Sequence, residues 1–282
     1  MEFWEKIGNI SRRYIYLFVG ICATLPLIVR MKLPIFVTPP TKSVYDIIDS
    51  IPPRDYENVL VISFDFSPSV MPELLPMGVA LLKHCFAKNI RVICMGLEVM
   101  GIGLAEMAAE IAKEEFPDVK YGEDYLIFAW VPGYDMVMLG MGEDIKKTFK
   151  VDYTGKPLDE FPIVSKVHNY EQIPAVITVT GSNIYQLWIT YAHTKYRQTV
   201  CTGITGVMAP EGYPWLQSGQ LSGMLGGIKG AAEYETLLKR NKLSKVEGTA
   251  SIGMDPQSIV HLLIMLFIVL ANISYFMIRR KK

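Results

Sequence analysis

VLVISFDFSPSVMPELLPMGVALLKHCFAKNIRVICM, Val59 to Met95, is the stretch that decides the fold class. Its opening, VLVISF (Val59–Phe64), is a continuous apolar run, the pattern of a strand buried on both faces. MPELLPMGVALLKHCFAK follows, with Leu75, Val79, Leu82 and Phe86 at helical spacing. RVICM (Arg91–Met95) is then a second strand. The unit reads as strand, helix, strand.

The same rhythm continues outward. GLAEMAAEIAKEEF predicts a helix with Leu104, Ala108 and Ile111 on one face, and YLIFAW (Tyr125–Trp130) a third strand. Residues 142–174 interrupt the pattern with a short charged helix (EDIKKTF) and an irregular stretch rich in Pro, Gly, Asp and Tyr. AVITVT (Ala175–Thr180) resumes it as a strand, NIYQLWITYAHTKY as a helix and TVCTGI (Thr199–Ile204) as the last strand. Upstream, LPIFVTPPTK (Leu33–Lys42) is a proline-punctuated connector and SVYDIIDSI a short amphipathic helix. Such alternation predicts an α/β domain over 55–240, with an insertion at 142–174. Its sheet is expected to be doubly wound, mostly parallel and Rossmann-like.

Two apolar segments flank this domain. YIYLFVGICATLPLIV (Tyr14–Val29) lies between Arg12-Arg13 and Arg30, and predicts a transmembrane signal anchor over 14–30. No small-residue cleavage site follows it, so a retained anchor is expected rather than a cleaved signal peptide. SIVHLLIMLFIVLANISYFMI (Ser258–Ile278) is long enough to span a bilayer and ends in RRKK. Asp255-Pro256 supplies a helix start in front of it. The expected organisation is a short cytoplasmic segment 1–13, the anchor, a connector 31–54, the domain, a linker 241–257, the span 258–278 and a basic tail 279–282. Arg12, Arg13 and Arg279, Arg280, Lys281 and Lys282 favour cytoplasmic ends and an extracytoplasmic domain. The free cysteines of the domain argue the other way.

Composition narrows the function. The 282 residues are 50% apolar, and 28 Lys+Arg balance 28 Asp+Glu. No basic stripe is present, which argues against nucleic acid as a partner. Cys22, Cys85, Cys94 and Cys201 lack CxxC spacing and lie in apolar runs, and the histidines form no HxxxH pair. Neither a metal site nor a bound cofactor is expected. Gly101 and Gly103 precede a helix, but Glu106 stands where a dinucleotide loop needs its third glycine.

Ligands of such sheets bind beyond the carboxyl ends of the strands. The candidates there are Asp65, Ser67 and Ser69 after the first strand and Gly181, Ser182 and Asn183 after the fourth. If those strands are neighbours, the loops meet in one crevice, with Asp65 solvated or facing a ligand and amides near Asn183 holding an anion. The plainer reading is that Ser182 and Asn183 cap the next helix. A triad of His193, Asp65 and Ser182 has no local support.

QSGQLSGMLGGIKGAAEYE (Gln217–Glu235) raises a separate question. Read as a helix, it gathers Leu221, Met224, Leu225, Ile228 and Ala232 on one side and Gly219, Gly223, Gly226, Gly227 and Gly230 on the other. Glycine costs a helix about 0.8–1 kcal/mol per position, so this small-residue face is expected to pack closely on something. A second copy of the helix is favoured over an internal cover or another membrane protein, with Tyr213 and Trp215 as interface anchors. The expected function is therefore non-catalytic assembly or partner binding by a membrane-anchored homo-oligomer. The alternatives are a tethered hydrolase or transferase, or a small-ligand sensor, at Asp65 and Ser182.

Overall fold

The computed structural model describes Trp4, residues 10–29, Met31, 33–54 and 58–279. Arg30, Lys32 and the basic residues 280–282, like most of the segment 1–13, lie outside the described residues. The chain divides into two units, Ile35–Ser251 and a second made of Met1–Pro34 with Ile252–Lys282.

The first unit is built on a parallel sheet of six strands: β1 (Leu60–Asp65), β2 (Val92–Met95), β3 (Tyr125–Ile127), β4 (Val176–Thr180), β5 (Val200–Ile204) and β6 (Gly223–Gly226). Its helices are α2 (Pro39–Asp49), α3 (Met71–Ala87), α4 (Gly101–Lys113), α5 (Tyr134–Glu143), the single turn α6 (Ile145–Thr148), α7 (Ile184–Trp188), α8 (Ala209–Gln217) and α9 (Gly227–Arg240). α7 runs on through a π-helical turn, Ile189–His193, and a last turn, Thr194–Tyr196.

The strand order is β3-β2-β1-β4-β5-β6, so the direction of winding reverses between β1 and β4. This is the order of a doubly wound sheet, whose right-handed crossovers send helices to opposite faces on either side of the reversal. Every strand pairs in parallel; Val61 lies opposite both Ile93 and Val176, and Asp65 opposite Thr180. Alternation along β1 sorts the two cores. Val59 and Val61 join Ile93, Leu126, Val176 and Val200 in a core closed by α5, α7 and the insertion. Phe64 packs toward α3 on the other face, where a Cβ on Gly78 would stand 3.1 Å from its ring Cζ.

The glycine-rich segment corrects the sequence expectation. It is not one helix. Gly223–Gly226 is the edge strand β6, pairing with β5, and α9 begins only at Gly227. Gly219, with φ of +75°, sits in the turn before β6 and has open space around its Cβ position. The compensation for the other glycines is local contact. A Cβ on Gly223 would lie 2.7 Å from Val44 Cγ2 and 2.9 Å from Val44 N, so the missing side chain lets α2 lie against β6. One on Gly230 would lie 2.8 Å from the Leu225 carbonyl carbon. Gly227, φ +62°, passes Gly206 with 2.9 Å between the same virtual Cβ and Gly206 Cα. Gly226 meets the Ala209 Cβ at 3.1 Å. The small helical face proposed for self-association does not exist in this form. Tyr213 and Trp215 also fall within α8, where Tyr213 is exposed and Trp215 is half-buried against the core.

α3 together with the preceding turn (Pro68–Ala87) is apolar and long enough to cross a bilayer, yet it packs on α4, α9 and the sheet as a core helix. His84 on this helix is fully buried. Its ring stacks on Tyr45 at 4.4 Å, its Nδ1 lies 2.7 Å from the Tyr234 hydroxyl, and its Nε2 lies 3.5 Å from Asp49. Burial lowers its pKa from 6.5 to about 4, with Lys88 adding to the shift and Asp49 opposing it. The folded state thus resists a proton that the unfolded chain accepts. Stability should be complete above pH 6.5 and fall by about 3 kcal/mol between pH 6.5 and 4. Denaturant titrations at pH 7.5, 5.5 and 4 read this loss, and His84→Gln should flatten it. An equal slope in that variant would assign the effect to carboxylates such as Asp49.

In the second unit, α1 (Arg12–Ile28) and the remainder of α10 (Thr249–Arg279) expose apolar side chains along their length. α10 is long and apolar enough to cross a membrane and is almost wholly exposed. It starts at Thr249, before the expected Asp255-Pro256 cap, and Pro256 lies inside it. The start is instead satisfied by Glu235 of α9, whose carboxylate accepts from the amides of Ala250 (3.1 Å) and Ser251 (2.7 Å). Asp255 accepts from the Leu33 amide at 3.0 Å.

Candidate functional site

The reversal point of the sheet lies between the carboxyl ends of β1 and β4, and Asp65 stands there as the last residue of β1. Its carboxylate is 1% exposed. Oδ1 accepts from Ser63 Oγ at 2.8 Å and from the Leu97 amide at 2.7 Å. Oδ2 accepts from Thr178 Oγ1 at 2.7 Å and from the Trp188 indole at 3.3 Å. Burial pushes the Asp65 carboxyl above the usual carboxylate range, and these four donors pull against that shift. The donors come from β1, β4, the β2–α4 loop and α7. Asp65 therefore ties four pieces of the fold together, and the expectation of a solvated or ligand-facing carboxylate is corrected. Its neighbours are internal donors.

The other predicted residues do come together, since β1 and β4 are adjacent. A Cβ on Gly181 would stand 3.0 Å from Val70 Cγ2, so the β4 loop rests on the β1 loop. Ser67 and Ser69 bond each other at 2.8 Å, and the Ser182 amide donates to Thr180 Oγ1 at 3.0 Å. Asn183 is exposed at the start of α7, and its side chain makes no cap hydrogen bond. The His193 Nδ1 donates to the Gln198 carbonyl at 2.9 Å, which removes it from any triad with Asp65. Cys85, Cys94 and Cys201 are buried thiols; burial pushes Cys201 up to about 12. They are packing groups rather than nucleophiles.

On the β2 and β3 side, the carboxyl edge presents large apolar residues. Val99 (60% exposed) and Met100 (61%) project from the loop after β2, Trp130 (39%) from the loop after β3, and Met136 (70%) from the first turn of α5. The loops are fastened together: the Trp130 indole donates to the Leu97 carbonyl at 2.8 Å and the Tyr134 hydroxyl to Glu98 at 3.1 Å. Beside them runs a groove of about 410 Å³ lined by Val131, Pro132, Met136 and Val137 together with the charged Glu143, Asp144 and Lys147. Sequence reasoning missed this corner. Its signal was present in GLEVMG and AWVPGYDM, where large apolar residues occupy loops punctuated by Gly and Pro. No family model, curated protein or solved structure matches this chain.

Proposed function

We propose that the chain is a membrane-tethered, non-catalytic α/β module that self-associates through the apolar corner formed by the loops after β2 and β3 and the first turn of α5. The observation that carries this reading is the exposure of Val99, Met100, Trp130 and Met136 at the edge where a doubly wound enzyme would hold its polar catalytic groups. Methionine adapts its shape to a partner, and tryptophan supplies anchoring area. Asp65, the only acid among the predicted site residues, is already saturated by internal donors. That weighs against a hydrolase or transferase at this point. α1 and α10 are read as the tethers, with their flanking arginines and lysines cytoplasmic and the domain on the other side. Tethering raises the effective concentration of copies, so a modest patch suffices for pairing.

Val99→Glu combined with Met136→Glu should reduce cross-linked dimer in membranes by about tenfold or more, the equivalent of 1.4 kcal/mol of lost contact, with an unchanged melt. An undiminished dimer, or a wild-type chain that is monomeric but co-purifies with another membrane protein, would transfer the corner to a different partner. A cysteine placed at exposed Gln217 reports orientation: labelling by an impermeant thiol reagent in intact cells is the expected result, and labelling only after lysis would reverse it.

A further inference from the structure

On the α3–α4–α9 side of the sheet lies a second cavity of about 410 Å³, unconnected with the loops just described. Leu75, Val79, Ile111, Leu238 and Val246 form its apolar walls. Its volume and lining suit a small organic ligand, for which sites are mostly apolar with a few placed polar groups. We propose that this cavity binds a small organic cation, an apolar body carrying an amine head.

The charge of the lining selects the head group. Four carboxylates, Glu114, Glu115, Glu235 and Glu247, face one amine, Lys83. Lys83 is already held by Glu115 at 3.0 Å and is largely buried, so it has no charge to offer a carboxylate or phosphate ligand. Glu115 and Glu235 are engaged by the strap that closes the cavity. Ser244 Oγ donates to Glu115 at 2.8 Å; the Lys245 amide donates to the same carboxylate, and the Ala250 and Ser251 amides donate to Glu235. Glu247 lies 3.5 Å from Lys239. Glu114 is exposed at the rim and has no ion-pair partner among the described residues. An incoming ammonium therefore meets an uncompensated carboxylate over an apolar floor, whereas an anion meets repulsion.

The test compares 2-phenylethylamine with 3-phenylpropanoate, which share an apolar body and differ in charge. Calorimetric titration uses the full chain in lipid nanodiscs, with protein-free nanodiscs subtracted. The amine should bind at one site per chain and the carboxylate at least tenfold more weakly. Val79→Trp should fill the cavity and abolish amine binding. Glu114→Lys, at an exposed position that leaves the fold intact, should weaken it about tenfold. Equal binding of the two compounds, no binding of the amine, or an affinity unchanged by Glu114→Lys would overturn the proposal.

Discussion

Asp65→Ala should destabilise the domain by about 3–5 kcal/mol, the range for removing one member of a buried, hydrogen-bonded charged set. The substitution leaves four donors facing a void: the Ser63 and Thr178 hydroxyls, the Leu97 amide and the Trp188 indole. The hydroxyls can rotate toward other acceptors, but the two N–H groups cannot. Each unsatisfied group costs about 1–3 kcal/mol. Asp65→Asn separates this account from simple loss of volume. An amide keeps the shape and one acceptor oxygen, but its NH₂ must face either Leu97 N–H or Trp188 Nε1–H. It should therefore cost about 1–3 kcal/mol, less than alanine but well above zero. Denaturant unfolding of both variants in detergent measures the pair. An Asp65→Asn variant within about 0.5 kcal/mol of the parent would return Asp65 to the role of a solvated, ligand-facing group.

The fold class was legible because burial on both faces writes itself into VLVISF, VITVT and VCTGI as short uncharged runs rich in β-branched residues, interrupted only by Ser, Thr and Gly. β6 was not legible for the opposite reason. Its four residues, Gly223–Gly226, carry two glycines, because α2 and α8 press on them, and glycine removes the apolar signature by which strands are recognised. The alternation of small and large residues that suggested a helical face arises instead from a strand followed by a turn at positive φ. The position of Asp65 at a strand end was readable; its environment was not. Thr178 lies 113 residues away and Trp188 lies 123 away, and neither shows in the sequence that it points at a carboxylate. The apolar corner was overlooked because each of its residues, taken alone, resembles an ordinary exposed hydrophobe. It becomes a surface only when the β2 and β3 loops are placed side by side.

Gly101 and Gly103, two residues apart in α4, should respond to alanine with opposite signs. Nothing lies within 4 Å of a Cβ on Gly103, so Gly103→Ala should stabilise the helix by up to about 1 kcal/mol through propensity alone. A Cβ on Gly101 would fall inside contact distance of the Phe64 carbonyl oxygen, a backbone atom of β1 that cannot swing aside. Gly96, in the same loop, is similarly close, with its virtual Cβ 2.9 Å from that oxygen. The 96–101 loop therefore lies directly on the end of β1. Gly101→Ala must lift it away, at a cost of about 3 kcal/mol, the upper part of the range for overpacking. The lift also draws the Leu97 amide from Asp65, where it now donates at 2.7 Å. The two substitutions then share one interaction. The double variant Gly101→Ala/Asp65→Asn should be less destabilised than the sum of the singles, by about 0.5–3 kcal/mol, the coupling seen between groups in one network. Strict additivity would mean that the loop relieves the clash without moving Leu97, and that Gly101 and Asp65 hold the carboxyl edge of the sheet independently.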